Sequence, residues 1–401
     1  MNTFALLLRR LEQGALSEDT LGIHGWARPF VFGDPSALPP RKWVYEPHYI
    51  RGFTSLTVAP GGVGKSTLAI TEAIVIATGR PLLGITPSER AKVWYWNGED
   101  PEEEILRRVH AILQHHGIPK EDIEGWLFLG SGRDREMVIA TQDRHGTTVA
   151  EPDIQAIISF ARANAIGVII IDPFVSTHRV AENDNSALDR VVKAWGRIAE
   201  EAQCAVGIVH HTRKPNGQAI TVDDARGASA LLAAARHGRT LEPMSQGDAE
   251  KWGIEDEARR SYVRLDTGKA NLRPSAKDRN WMRLVGVRLP NGDEVQAMEM
   301  WGPPAELPPL SPTEKADVLA ALQRPCPTSP EGWREDSQSA AWAGNTVIAA
   351  LGWDPTQGVH RASVELKRLV AGGDLEVASL TFGPKRKTAK FLRVPALIPT
   401  S

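Results

Sequence analysis

The chain has 401 residues, with 47 Lys and Arg against 49 Asp and Glu and a formal net charge of −2. That length suits two or three domains, each with its own core, and the balanced charge excludes a global pull towards nucleic acid, so any polyanion contact must come from local clusters. Two cysteines, Cys204 in an apolar run and Cys326 in a proline-rich stretch, support neither a disulfide framework nor a four-ligand zinc site and point to a reducing compartment.

The opening stretch, MNTFALLLRRLEQG, has an apolar patch too short to span a bilayer, followed at once by Arg9, Arg10 and Glu12 with no small-residue cleavage site. A cytoplasmic protein is expected. Residues up to about 40 read as a short helix and a loop rich in Pro, Gly and aromatics, an arm rather than a domain. From Tyr49 to about Pro303, short apolar runs alternate with longer helical stretches, the pattern of an α/β layer fold with a mostly parallel sheet. The expected strands are FTSLTVA, KVWYWN, WLFLG, IGVIIID and CAVGIVHH, and the expected helices Lys65 to Ala77, Pro101 to His116, Asp153 to Asn164, Ser186 to Gln203 and Ala228 to Ala235. Three further runs, YVRLD, WMRLVGVRL and VQAMEMW, carry turn signals such as NGD at 291–293 and would extend the sheet in antiparallel fashion.

GPPAELPPLSP, at 302–312, holds five prolines and reads as a stiff linker. Beyond it, helices are expected from Pro312 to Leu322, near Ala340 to Ala350 and near Val359 to Ala371. They are followed by DLEVASLTFGPKRKTAKFLRV, two short strands around a basic loop. Three helices and a hairpin in that order resemble a winged helix, in which the third helix enters a major groove and the wing touches phosphate. His360, Arg361, Lys367 and Arg368 on the helix and Lys385, Arg386, Lys387 and Lys390 on the wing would make those contacts. Residues 310–401 carry 11 basic and 9 acidic residues, a weak footprint for nucleic acid, so docking to a protein partner stands beside DNA binding.

The most specific local signal is VAPGGVGKSTLAI, where an apolar run meets a glycine-rich turn and a helical start, the order of a phosphate-binding P-loop. In a turn opened by Pro60, successive backbone N–H groups from Gly61, Gly62, Val63 and Gly64 and the helix N-terminus would surround the phosphates. Lys65 would neutralise their charge, Ser66 would coordinate Mg²⁺, and Thr67 would touch the α-phosphate side. Ala59 stands where the motif usually opens on glycine. Asp172 closes VIIIDPF and would project from the strand's C-terminal edge to hold Mg²⁺ through water, or else serves as a turn residue before Pro173. Glu99, at the end of VWYWNGED, either activates the attacking water or charges the first turn of the helix after Pro101.

His210 and His211 close another strand. Adjacent strand residues point to opposite faces, so they would not chelate one metal together; one of them would sense the γ-phosphate, or stand as a structural strand-end histidine. Arg226 and Arg236 flank a small-residue helix and suit phosphate oxygens, or serve as surface ion-pair arginines.

Taken in order, APGGVGKSTLAI, VWYWNGEDPEEEILRRV, VIIIDPFVS, VHHTRK and ARGASAL make residues from about 45 to 303 resemble a RecA-type ATPase. Within that group they are most similar to the RepA-like hexameric replicative helicases of plasmids and phages. The resemblance implies a RecA-like P-loop NTPase core at 45–303, preceded by an arm at 1–44 and followed by a linker at 304–312 and the winged-helix-like unit at 313–401. It implies ATP and Mg²⁺ as ligands, Glu99 as catalytic base, Asp172 as the Walker B carboxylate, and His210 or His211 as sensor. Arg236, placed in the helix after RGAS, is the first choice for an arginine lent to a neighbouring subunit, and Arg226 the second. Loops after Asp172 and His211 would face single-stranded DNA with Arg179, Arg213 and Lys214, diluted by Glu182, Asp184, Asp223 and Asp224. GKANLRP, with Lys269 and Arg273, would form a second subunit contact. The expectation is a ring-forming, ATP-hydrolysing DNA motor, with an ATP-switched regulator or loader as the alternative.

Overall fold

Runs of β-branched and aromatic residues line up as the strands of one large sheet in the computed structural model, which describes residues 30, 32–211, 231–232, 235–272, 280–303, 309–355, 358–382 and 387–395. The chain divides into two units, Met1–Lys42 and Trp43–Ser401. In the first, the described residues include a 3-10 turn at Pro35–Ala37, capped by Asp34, whose carboxylate accepts from the Ser36 N–H at 2.8 Å.

In the second, nine strands form the main sheet: β1 (Thr54–Ala59), β2 (Lys92–Asn97), β3 (Leu127–Ser131), β4 (Ile166–Asp172), β5 (Ala205–His211), β6 (His237–Pro243), β7 (Tyr262–Ala270), β8 (Asn280–Arg288) and β9 (Glu294–Trp301). Their spatial order is β9-β8-β7-β6-β1-β5-β4-β2-β3. The six from β6 to β3 are parallel, and β7, β8 and β9 continue the sheet antiparallel, as the turn signals led one to expect. β5 stands between the P-loop strand β1 and the Asp172 strand β4.

Helices cover both faces of the parallel part, which is why β1 and β4 are buried along their whole length. Side chains alternate along each strand, so Val168 and Ile170 pack beneath α1 (Lys65–Thr78) and α2 (Glu102–His115), while Ile169 and Ile171 pack beneath α3 (Glu151–Ala163) and α4 (Asn185–Ala202). Helix α1 lies inside the domain, with Leu68, Ile70, Ile74 and Ile76 nearly inaccessible. Trp195 of α4 is fully buried, and its indole N–H donates to Thr177 Oγ1 at 3.3 Å.

Three pieces escaped the sequence reading. Strand β6 is central and parallel to β1, yet its segment HGRTLEP carries glycine, proline and charge, which disguised it. The hairpin Ala140–Asp143 and Gly146–Val149 pairs in parallel with His178–Arg179, so the segment after Asp172, expected as an open loop, is stitched into a three-stranded sheet. Trp43–Tyr45 and Tyr49–Ile50 form a small antiparallel pair ahead of β1. Short helices α5 (Gln246–Trp252) and α6 (Asp256–Arg259) join β6 to β7. Of the helix expected at Ala228 to Ala235, only residues 231–232 are described as helical.

The C-terminal segment has its own apolar core, built from Val318, Leu322, Trp333, Trp342, Val347, Ala362, Leu366 and Leu392. Helix α7 (Pro312–Gln323) starts at a capping box: the Ser311 hydroxyl accepts from the Glu314 N–H at 3.3 Å, and the Glu314 carboxylate accepts from the Ser311 N–H at 2.8 Å. Helices α8 (Ala343–Leu351) and α9 (Gly358–Ala371) follow, then a hairpin of Glu376–Phe382 and Lys387–Arg393, joined on its second strand by Trp333–Arg334.

Candidate active site

Because the six inner strands are parallel, β1, β2, β4 and β5 all deliver their last residues to one edge of the sheet, where ligands of open α/β sheets bind. Between β1 and α1 the chain turns through Pro60–Gly64, with Gly62 at φ +80° and Gly64 at φ +89°. Both angles lie in the left-handed region, which glycine enters without steric cost. The turn aims the N-terminus of α1 at a cavity of ≈ 650 Å³ lined by Gly62, Gly64, Lys65, Ser66 and Thr67 on one side and Glu99, Asp100 and His211 on the others. Pro60, Gly61 and Val63 complete the turn behind those walls.

Lys65 is buried, and its Nζ donates to the carbonyl oxygens of Pro60 at 2.6 Å and Ala59 at 3.2 Å. Burial pulls its pKa down to about 8, against the opposing pull of Asp172 and Glu99. A cation desolvated in this way, turned back on its own loop, suits an incoming polyanion.

Asn97 and Asp172 sit opposite each other at the ends of β2 and β4. The buried Asp172 carboxylate accepts the Tyr95 O–H at 2.9 Å, and Asn97 Nδ2–H donates to that Tyr95 oxygen at 3.0 Å. Asn97 Oδ1 in turn accepts the N–H groups of Glu99 at 2.9 Å and Asp100 at 2.7 Å, so one amide fixes the turn that presents Glu99 to the cavity. Glu99 is exposed, with its backbone carbonyl held by Arg133 Nε–H at 2.7 Å. The Ser66 hydroxyl and the Asp172 carboxylate are hard oxygen donors of the kind Mg²⁺ takes, few in number as expected where phosphate and water complete the shell. Among the described residues no group of three or more His, Cys, Asp or Glu is arranged to hold a metal by itself.

The two histidines separate as the strand period requires. His211 shares the face of Val209 and lines the cavity; burial lowers its pKa, Lys65 adds to that, and Glu99 and Asp172 oppose it. His210 is buried on the other face, 6.0 Å from the Phe174 ring, on the side of His178. His211, not His210, is therefore the histidine placed to meet a phosphate.

Arg236 is exposed at the far end of the sheet. Its N–H donates to the Thr54 carbonyl at 3.0 Å and its guanidinium stands 5.5 Å from the Phe53 ring. It occupies the bend that opens β6 rather than a helix, which corrects the expectation. Strand β1 runs from Thr54 there to Ala59 at the P-loop, a rise of about 17 Å, well beyond the reach of an arginine side chain. Lys269 lies at the same edge, opposite Gly238 in the β6–β7 register, and its ammonium donates to the Leu232 carbonyl. Arg226, Arg213, Lys214 and Arg273 lie outside the described residues.

The candidate nucleic-acid contacts are scattered. Arg179 pairs with Glu136 at 3.4 Å. Arg361 packs 4.2 Å over the Trp353 ring, and Arg368 pairs with the buried Glu365 at 2.7 Å. Lys367 lines a groove of ≈ 860 Å³ with Lys390 and Arg334. Lys385 and Arg386 lie outside the described residues, as do the side chains of Lys387 and His360.

The sequence reading missed the outer wall of the cavity, made by Glu104, Arg107 and Arg108 of α2, by Asp293 in the β8–β9 turn and by Glu294 to Gln296 at the start of β9. Arg108 pairs with Asp100 at 2.9 Å and Arg107 with Asp293 at 2.8 Å. The i,i+4 spacing of Glu104 and Arg108 was a signal, but it reads equally as an ordinary solvated helix face.

A glycine turn, an anion-ready lysine, a carboxylate pair and a histidine converging on one strand edge define a P-loop nucleotide site. Residues 27–217 match a family model described as an AAA domain. This part of the chain therefore carries an ATPase domain of the P-loop type. The matched span includes β1 to β5 and ends before Arg236. No helix among the described residues is long and apolar enough to cross a membrane.

Proposed function

We propose that the protein is an Mg²⁺-dependent ATPase that assembles as a hexameric ring and moves on single-stranded DNA, a cytoplasmic replicative helicase of a plasmid- or phage-type element. The observation that carries this reading is the place of Arg236, exposed at the sheet edge opposite its own P-loop. Only a second copy can bring that guanidinium to a terminal phosphate, so hydrolysis and assembly become one event.

In this reading the N–H groups of the glycine turn and Lys65 bind the phosphates, and Asn97 holds Glu99 where it takes the proton of the attacking water. His211 donates a hydrogen bond to the γ-phosphate. Ser66 and Asp172 would hold Mg²⁺, which when bound would supply positive charge beside the phosphates. The C-terminal segment acts as a winged-helix-like domain.

Hydrolysis should accelerate with oligo-dT and be lost in Lys65→Ala and Glu99→Gln; a rate indifferent to DNA removes the motor. One observation favours the second reading, an ATP-switched regulator or loader: Arg361 stacks on Trp353 and Arg368 pairs with the buried Glu365, so neither guanidinium is held out for a phosphate. Strand separation on forked substrates distinguishes the two.

A further inference from the structure

A second polar assembly lies buried beside the nucleotide site and has no part in the chemistry above. Glu72, two turns into α1, and Arg239, in the middle of β6, are 1% and 4% exposed. The guanidinium grips the carboxylate with both ends of its fork, Nη1 to Oε1 at 2.7 Å and Nη2 to Oε2 at 2.6 Å. Tyr49 O–H donates to the same carboxylate at 3.0 Å.

Arg239 has a third contact, Nε–H to Thr57 Oγ1 at 2.9 Å, across the β6–β1 register. Thr57 Oγ1 lies 3.2 Å from His48 Nε2, and His48 Nδ1 lies 2.8 Å from His237 Nδ1. The guanidinium can only donate, so Thr57 Oγ1 accepts from Arg239. The Thr57–His48 and His48–His237 contacts each hold one proton, and the tautomer of His48 sets the direction of both together. A neutral His48 agrees with its pKa, which burial, the Arg239 charge and His237 hold well below the ordinary value.

The chain thus begins on the helix that starts at Lys65 and ends on the residue next to Arg236. A buried ion pair is weak evidence for stability, since apolar residues of the same shape often serve as well. Its fixed geometry is what an apolar substitute lacks.

We propose that Glu72, Arg239, Thr57, His48 and His237 are positioning residues that hold Arg236 in a fixed relation to the P-loop helix. Each subunit then presents the arginine it lends to its neighbour at an angle set by its own nucleotide site. This rests on the reading of Arg236 as acting across a subunit boundary.

The test mixes full-length subunits. His237→Leu and Thr57→Val each interrupt the chain without removing a charge; Thr57→Val keeps the side-chain shape and carries the test if His237→Leu does not fold. Each should lose about tenfold or more in ATP turnover, the order that a small misplacement of a reacting group costs, while a fluorescent ATP analogue binds as in wild type. Mixed with Lys65→Ala subunits, whose pocket is dead but whose Arg236 is intact, each should recover turnover. The control mixes Arg236→Ala with Lys65→Ala. If the control recovers while the Thr57 and His237 variants do not, or if those variants turn over at the wild-type rate alone, the positioning role is overturned and the shared site stands. If the control itself fails to recover, the shared site falls and the inference with it.

Discussion

The Glu72–Arg239 pair offers a quantitative check, because both groups are almost wholly removed from water and bound to each other at 2.6 and 2.7 Å. Glu72→Leu leaves the guanidinium without its counter-charge. Arg239→Met leaves the carboxylate with the Tyr49 hydroxyl and takes the donor away from Thr57. Each single change strands a buried charge and should cost about 3–5 kcal/mol. The double change Glu72→Leu with Arg239→Met removes both charges and fills the space with apolar atoms, so it should lie close to wild-type stability. The coupling in the cycle is then about 6 kcal/mol or more, far above the roughly 0.5 kcal/mol scatter of independent sites. Urea unfolding of the full chain, with the ATPase transition fitted separately from any C-terminal one, measures it. Each single variant should also melt roughly 10 °C lower. Additive costs, with the double variant as unstable as the sum of the singles, would refute the reasoning. The same double variant should still fail in turnover, since the Arg239 link to Thr57 is gone.

Lys65 predicts a pH dependence for nucleotide binding. Its pKa in the empty site is about 8, and bound phosphate raises it, so above pH 8 binding must take up a proton. Affinity should weaken by about tenfold per unit above pH 8; calorimetry in two buffers should show a proton uptake that grows from about pH 7.5 to about pH 9. Gly64→Ala should cost about 1–2 kcal/mol of backbone strain, because its φ is +89°. The added Cβ also meets the Leu284 side chain at 3.0 Å, but that side chain is able to yield, so adding Leu284→Ala should not restore nucleotide affinity. Tyr95→Phe removes the O–H from Asp172 and the acceptor from Asn97, and should lower turnover more than nucleotide affinity, as read from kcat and KM together.

Much of the inner sheet was readable because its strands are buried on both faces and so appear as continuous apolar runs, IGVIIID above all. The P-loop was readable because its glycines answer a backbone demand that few other residues meet. Period two told that His210 and His211 face apart, but not which one meets the cavity. That depends on the register of β5 against β1, which pairs His211 with Ala59. Arg236 was placed in a helix because ALLAAAR reads as helical, whereas the chain has already turned into β6. Strand β6 itself stayed hidden because Arg239 and Glu242 look like surface residues until their partners, Glu72 and Arg264, arrive from far along the chain. No local pattern announces such a pair. The small sheet at His178–Arg179 was hidden for a similar reason, since its partner strand comes from a hairpin nearly forty residues earlier.

The central claim is that ATP is hydrolysed between copies of the chain. Turnover per chain, followed over serial dilution beside mass photometry of the same samples, tests it most directly. The account predicts that turnover falls as the assembly dissociates into single chains, and that Arg236→Ala is as slow at every concentration as the dissociated wild type. Undiminished turnover from single chains would contradict it.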